Sequence, residues 1–394
     1  MKLICSRKDL LKGLKVVERG LHACPASIPV LGNVLLKAHG DGLELWATNL
    51  ISAIRYRVEA KVEESGAITV PGKLLRQVVS ALLGKDVQME TEPSAILAIE
   101  CAGTRTDIKG IEAEEFPTMP KTPEKPVVEL DAAEMSRLLR QSVFAASTRQ
   151  KDIILSGVLL ELAGNELKMV ASDEVRLSMS SLELSEKVQE PISIIVPAWA
   201  LKELGRLVSK ARARVSVFVD AELSQVFFRF GEILFISRLI EGTFVDYRNC
   251  IPKDEQRTAA VVDTTNFLKA MEAIQVLARN AVRGVARKQA NIVHLRIASA
   301  EEKAPGVIEL SAVSSELGSL MAQLEAQVEG GQIDMAFNGK YLAQALSAVR
   351  SEQVELITSR AGATIMRLVG TGNFTYFLMP MVVPGTHEVP ETHK

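Results

Sequence analysis

One unit of sequence occurs three times in this chain, and that repetition constrains the fold more than any other feature. The segments V-P-G-K-L-L-R-Q-V-V-S-A-L at 70–82, V-P-A-W-A-L-K-E-L-G-R-L-V at 196–208 and F-N-G-K-Y-L-A-Q-A-L-S-A-V at 337–349 share one pattern. Each is the end of an apolar strand, a Pro or Asn at a helix start, and then apolar residues at i, i+3, i+4 and i+7. A second unit pairs V-L-L-K-A-H-G-D-G-L-E-L-W-A-T-N-L at 34–50 with V-L-L-E-L-A-G-N-E-L-K-M-V-A-S-D-E at 158–174. Alternating apolar residues around Gly-Asp-Gly or Gly-Asn mark hairpins. A third marker is E-F-P-T-M-P, F-V-D-Y-R-N-C-I-P and Y-F-L-M-P-M, whose last prolines, Pro120, Pro252 and Pro380, stand 132 and 128 residues apart. In a chain of 394 residues this period predicts three homologous domains, at about 1–124, 125–255 and 256–394. K-T-P-E-K-P at 121–126 reads as an exposed connection.

The fold class that follows is α+β. Short turns make neighbouring strands antiparallel, because parallel pairs need long crossovers. Two helices per domain then pack their apolar stripes on the sheets and leave the opposite helix faces open. The periodicity predicts helices at 8–20, 71–83, 131–151, 197–214, 263–288 and 338–350. These segments hold 22 Lys and Arg against 7 Asp and Glu, a net of +15, so the rest of the chain carries −17 beneath a formal total of −2. Helix propensity explains this poorly, since Glu is as good a helix former as Lys. A cationic surface of this kind binds phosphate backbones without regard to base sequence.

Composition excludes other classes. Hydrophobic residues at 47% and charged residues at 24% suit a globular chain with sizeable cores. No apolar run reaches the roughly 18–20 residues that span a bilayer, and M-K-L-I-C-S-R-K-D-L turns charged too early for a signal core. A soluble cytoplasmic protein without membrane attachment is the expectation. Cys5, Cys24, Cys101 and Cys250 lie far apart, which indicates neither a disulfide framework nor a zinc site. Phosphate loops, dinucleotide fingerprints, H-E-x-x-H and nucleophile elbows are missing. His22 with Cys24 has no third partner to orient a base, and Asp173 with Glu174 reads as a turn or cap. The expectation is a non-catalytic protein with no catalytic residue, metal or cofactor.

The residues then match a known family. E-F-P-T-M-P, S-R-L-I-E-G-T-F-V-D-Y-R-N-C-I-P at 237–252, A-F-N-G-K-Y-L at 336–342 and Y-F-L-M-P-M lie in the order found in it. On these motifs the chain resembles the bacterial DNA polymerase III beta subunits, the sliding clamps. The resemblance implies three clamp-type domains and a head-to-tail homodimer forming a six-module ring with helices inside. Double-stranded DNA would pass through it, and a replicative polymerase, a clamp loader and other proteins would bind by short peptides. The DNA-facing residues implied are Lys73, Arg149, Gln150 and Lys151, to which the charge pattern adds Arg279, Arg283, Arg287 and Lys288. The implied peptide groove comprises Leu155, Ser172, Arg176, Leu177, Val245, Cys250, Asn338, Tyr341, Thr364, Phe377, Met379, Pro380 and Met381. At the implied dimer seam, Arg105, Thr106 and Ile108 of one chain meet Val276 and Leu277 of the other.

Several positions depart from the family pattern. Cys24 stands where an arginine is frequent, with Arg19 or His22 as its substitutes. Glu174 and Val175 replace Gly and His, Val245 replaces Pro, and A-T-N-L-I at 47–51 lacks an acidic pair. These changes bear on peptide preference. They also leave open a clamp paralogue with a specialised role in drug resistance or repair; from another class, the rival is a three-domain enzyme with an unrecognised site.

Overall fold

A computed structural model describes residues 1–21, 28–149, 151–250, 257–280, 291–299, 306–314, 317–359, 364–368 and 373–381. Its elements repeat three times in one order: strand, helix, four strands, helix, three strands. Among the described residues the α-helices are α1 (Arg7–Val17), α2 (Gly72–Ala81), α3 (Ala132–Ser142), α4 (Ala198–Val208), α5 (Thr264–Asn280) and α6 (Gly339–Ala348). Neighbouring strands pair antiparallel, as the short connections require, for example Cys5 opposite Val87 and Leu159 opposite Val170.

Two units make up the chain, Met1–Arg137 with Ile194–Glu241, and Leu138–Ser193 with Gly242–Lys394. The middle third of the sequence is shared between them, and the sheets show why. In the first unit the strand Ile233–Arg238 pairs with Ser52–Glu64, Phe235 opposite Ile54. One core therefore joins Val30, Trp46, Ala53 and Phe116 to Phe218, Phe227, Leu234 and Ile236. In the second unit Arg176–Glu183 pairs with Phe374–Leu378, Leu177 opposite Phe377. Strand extension across a repeat boundary satisfies edge backbone groups that would otherwise stand open.

Helix burial follows the apolar stripe. Leu10, Leu14 and Val17 of α1 are buried against the sheet, and Ser6 caps the helix by accepting the Asp9 N–H at 3.4 Å. Gly13 lets this helix approach closely, since a Cβ there would stand 2.7 Å from both Leu45 and Tyr56. In the second unit Phe267, Met271, Ile274 and Ala278 of α5 share a core with Leu342, Ala345 and Leu346 of α6.

The helix expected over 131–151 ends at Ser142. Ser142 Oγ donates back to the Leu138 carbonyl at 2.7 Å, and the chain turns through a 3-10 segment, Val143–Ala145, into an extended run. Ser147 N–H then bonds the Leu155 carbonyl at 2.8 Å, closing a loop that carries Arg149 and Lys151. The helix expected at 197–214 is also shorter, ending at Val208; that expected at 263–288 is helical over Thr264–Asn280, and residues 281–288 lie outside those described.

Cys5 is buried in the first unit, and burial pushes its thiol from 9.0 up to about 12, with Asp9 and Asp86 adding to the rise. Between these values the folded chain keeps a proton that the unfolded chain has lost, so this site's contribution to stability falls as pH rises above 9.0. Guanidinium midpoints measured at rising alkaline pH should drop more steeply for the parent chain than for Cys5→Ala; parallel curves would contradict this burial effect.

Candidate functional site

The expected groove residues lie in the second unit, and Ser172, Arg176 and Leu177 among them flank a tight turn between the strands Glu166–Ser172 and Arg176–Glu183. Two side chains build the turn. Ser172 Oγ donates to the Arg176 carbonyl at 2.8 Å and accepts the Glu174 N–H at 3.3 Å. Asp173 Oδ1 accepts the N–H groups of Val175 and Arg176 at 3.2 and 3.1 Å. The Asp173–Glu174 pair thus forms a turn, as its residue types suggest.

Glu174 stands at φ 74°, in the left-handed region. Glycine reaches that region freely and other residues pay about 1–2 kcal/mol. This is the physical reason a Gly suits the position, and the present Glu is held there by the hydrogen bonds of its neighbours.

Arg176 is the centre of the site. Its Nε donates to Asp173 Oδ2 at 3.0 Å and its Nη1 to Gln344 Oε1 at 2.6 Å. Its guanidinium also lies 4.0 Å from the Tyr341 ring centroid and 5.7 Å from that of Phe144. Both members of the Arg176–Asp173 pair are buried. Tyr376 stacks beside Phe144 at 5.6 Å and donates its hydroxyl to the Tyr341 carbonyl at 3.3 Å; its burial raises the hydroxyl pKa. Asp173, Gln344, Phe144 and Tyr376 were not among the expected groove residues. The acidic turn before Arg176 was the one local signal for any of them.

The terminal segment crosses this turn. Met379 N–H bonds the Val175 carbonyl at 2.9 Å, and Met381 N–H bonds the Ala336 carbonyl at 2.7 Å. Met379, Pro380 and Met381 are thereby carried from the turn to the strand that ends in Asn338. Asn338 caps α6 by accepting the Lys340 N–H at 3.1 Å. Leu155, Ser172, Leu177 and Phe377 are buried, whereas Met379, Val175 and Val245 expose much of their apolar surface. Leu177 and Phe377 are paired across the sheet next to half-exposed Met379, and a flexible Met beside buried apolar residues can adapt to different apolar anchors. Thr364 sits opposite Leu378 in the sheet, and Cys250 closes the 3-10 turn Tyr247–Cys250; their side chains lie outside the described part of the chain.

The helices keep their charge bias at their observed lengths, with 13 Lys and Arg against 4 Asp and Glu. Lysines and arginines behave differently on them. Lys8, Lys12, Lys15, Lys73, Lys202, Lys269 and Lys340 are exposed. Arg76 is bonded to Glu18 at 2.6 Å, Arg137 to Glu134 at 2.8 Å, and Arg206 to Glu203. Arg149 is held most heavily: Nε lies 3.2 Å from Asp152, Nη1 lies 3.2 Å from Glu174, and Nη2 donates to the Asp173 carbonyl at 2.9 Å. Lys151, on the same loop, is exposed. Gln150, Arg283, Arg287 and Lys288 lie outside the described residues, and Arg279 is described only as part of α5.

Of the expected seam residues, Arg105 lies on the edge strand Thr104–Lys109 and is bonded to Glu92, Glu100 and Asp107 at 2.5, 2.7 and 3.4 Å. Thr106 is half-buried, and Ile108 points into its own core opposite Leu97. On α5, Val276 is 65% exposed and Leu277 packs against the core. Ile108 thus packs within its own unit, and Arg105 is the exposed member of the three.

Comparison with known proteins places the chain. The DNA polymerase III beta subunit family matches it over residues 1–120 by its N-terminal domain, 129–246 by its central domain and 248–382 by its C-terminal domain. The beta sliding clamp of a Synechocystis species is 31% identical, covering 97% of this chain and 99% of its own. That of Synechococcus elongatus is 30% identical with the same coverage. Among solved structures, the DNA polymerase III subunit beta of Pseudomonas aeruginosa superposes with a TM-score of 0.86 at 25% identity, covering 97% and 100% of the two chains. The DNA polymerase sliding clamp of Bacillus subtilis shares the fold, with a TM-score of 0.89 at 23% identity over 97% and 99%.

Proposed function

The chain belongs to the DNA polymerase III beta subunit family, and from that premise we propose that it acts as a DNA sliding clamp. Two copies join head to tail into a ring of six modules, helices inward, and duplex DNA threads the hole. The clamp makes and breaks no bond. Its work is to raise the effective concentration of a polymerase at the primer end, which a tether does without new contacts to the substrate.

The observation that carries this reading is the cationic helix face built once in each third of the chain, with exposed Lys73 on α2, Lys202 on α4, and Lys269 and Lys340 on α5 and α6. Contacts of lysine to phosphate are equivalent at every step along a duplex, so they hold without locking. Closure of the ring turns weak contacts into long residence, because leaving sideways is forbidden. The groove around Arg176 and Met379 is the site for short peptides of the polymerase, the clamp loader and other partners. The three domains, at about 1–124, 125–255 and 256–394, are the modules of the ring, and the protein works in the cytoplasm.

Topology supplies the test. Covalently linking both seams after loading should leave the protein bound to circular DNA through a high-salt wash, and cutting the circle once should release it. Escape from the intact circle would overturn the ring.

A further inference from the structure

Helices α2, α4 and α6 start in one register. Their N-cap residues are Pro71, Pro197 and Asn338, so Lys73, Trp199 and Lys340 each hold the second helical position. Two residues further on, Leu75, Leu201 and Leu342 are all buried. A shared N-cap and a shared buried leucine fix how each helix is rotated on its own sheet. The second position therefore points the same way in all three, away from the core. Lys73 and Lys340 are exposed there, and Trp199 is 42% exposed.

A large indole left in water at a position that is otherwise cationic has no stabilising partner among the described residues. Scattered apolar residues are normal on surfaces, but Trp is the side chain whose exposure forfeits most burial energy. The chain's other tryptophan shows the contrast. Trp46 is buried, and its Nε1 donates to Glu44 at 3.0 Å.

We propose that Trp199 is a non-ionic DNA contact of the clamp lining, its indole lying against the sugar edge of the duplex where α2 and α6 present lysines. This inference rests on the clamp reading. Its physical consequence is a division of labour. Lysine contacts work by counterion release and weaken steeply with salt, whereas an aromatic face excluding water from deoxyribose carries no such dependence. The central module then contributes affinity that persists when salt screens the others, at the cost of slower sliding.

The experiment uses the full-length dimer and a dye-labelled linear duplex, with anisotropy read across a salt series. Trp199→Ala should weaken binding about fivefold, the low end for an aromatic contact to nucleic acid, and leave the slope of log affinity against log salt unchanged. Trp199→Lys should steepen that slope by about 0.9 per added contact. Duplex should also shift tryptophan emission in the parent protein and not in Trp199→Phe, whose remaining indole is the buried Trp46. If Trp199→Ala binds like the parent while Lys73→Ala binds more weakly, the Trp199 contact is refuted and the clamp stands. If neither substitution changes affinity, the helices do not face DNA and the clamp reading fails with it. An emission shift produced by partner peptide without DNA would assign Trp199 to proteins and overturn the proposal.

Discussion

Replacing Arg176 with Ala should cost the second unit about 3–5 kcal/mol, the penalty for leaving one member of a buried ion pair without its partner. Asp173 would keep the two backbone N–H groups of its turn and lose the cation beside Oδ2. Gln344 would lose the donor at 2.6 Å, and Tyr341 the guanidinium stacked on its ring. Because the turn also supplies the Val175 carbonyl that holds Met379, the groove rim loosens with it, and partner peptides should bind at least tenfold more weakly. Denaturation by guanidinium and titration with a labelled clamp-binding peptide read the two effects. A double variant, Asp173→Asn with Arg176→Met, separates them. It removes both charges and retains a flexible apolar chain over Tyr341, so most of the stability should return; peptide binding that returns with it is owed to the rim, and binding that stays weak is owed to the guanidinium itself. An Arg176→Ala protein with an unchanged midpoint would show that the pair contributes nothing to the fold.

The architecture was legible because it is local and repeated. Apolar spacing at 70–82, 196–208 and 337–349 marks α2, α4 and α6 closely, since each begins at a Pro or Asn that ends the preceding strand. The third helix was overrun because Leu138, Leu139, Val143 and Phe144 continue an apolar rhythm past the point where Ser142 turns its hydroxyl back on the chain. Periodicity reports which residues face a core, and cannot say that Phe144 packs half-buried against it from a 3-10 turn. The middle third reads as one repeat, yet it lends strands to two different sheets, and strand partners separated by whole domains leave no local signature. The groove has the same character. Arg176 and Gln344 are 168 residues apart, so no spacing rule joins them. Family motifs supplied Arg176 and Tyr341, and only the structure adds Asp173, Gln344 and Tyr376. Charge was legible as a sum and not as individual roles. Arg149 and Lys151 look alike in sequence, but one is tied to two carboxylates and the other is exposed.

That difference sets the second large effect. Neutralising Lys73 and Lys151 to Gln removes four phosphate contacts from a dimeric ring, each worth about 0.9 in the salt slope, and should weaken duplex binding about a thousandfold at roughly 0.1 M salt. Arg149→Gln should do much less, because its guanidinium is already neutralised by Asp152 and Glu174 and would have to leave them to reach a phosphate. The reciprocal change makes the argument sharper. Glu174→Gln keeps the shape of the turn and removes one of those carboxylates, so it should tighten duplex binding about twofold to fivefold, the range for releasing a half-exposed ion pair. Anisotropy titrations across a salt series distinguish the cases. Equal losses from Arg149→Gln and Lys73→Gln would mean that the ion pairs do not restrain Arg149, and unchanged binding by the lysine double variant would remove DNA from the helix face altogether. The sign of the Glu174 effect matters most. A carboxylate that masks a cation on one side and borders the peptide groove on the other places duplex and partner binding within reach of a single side chain.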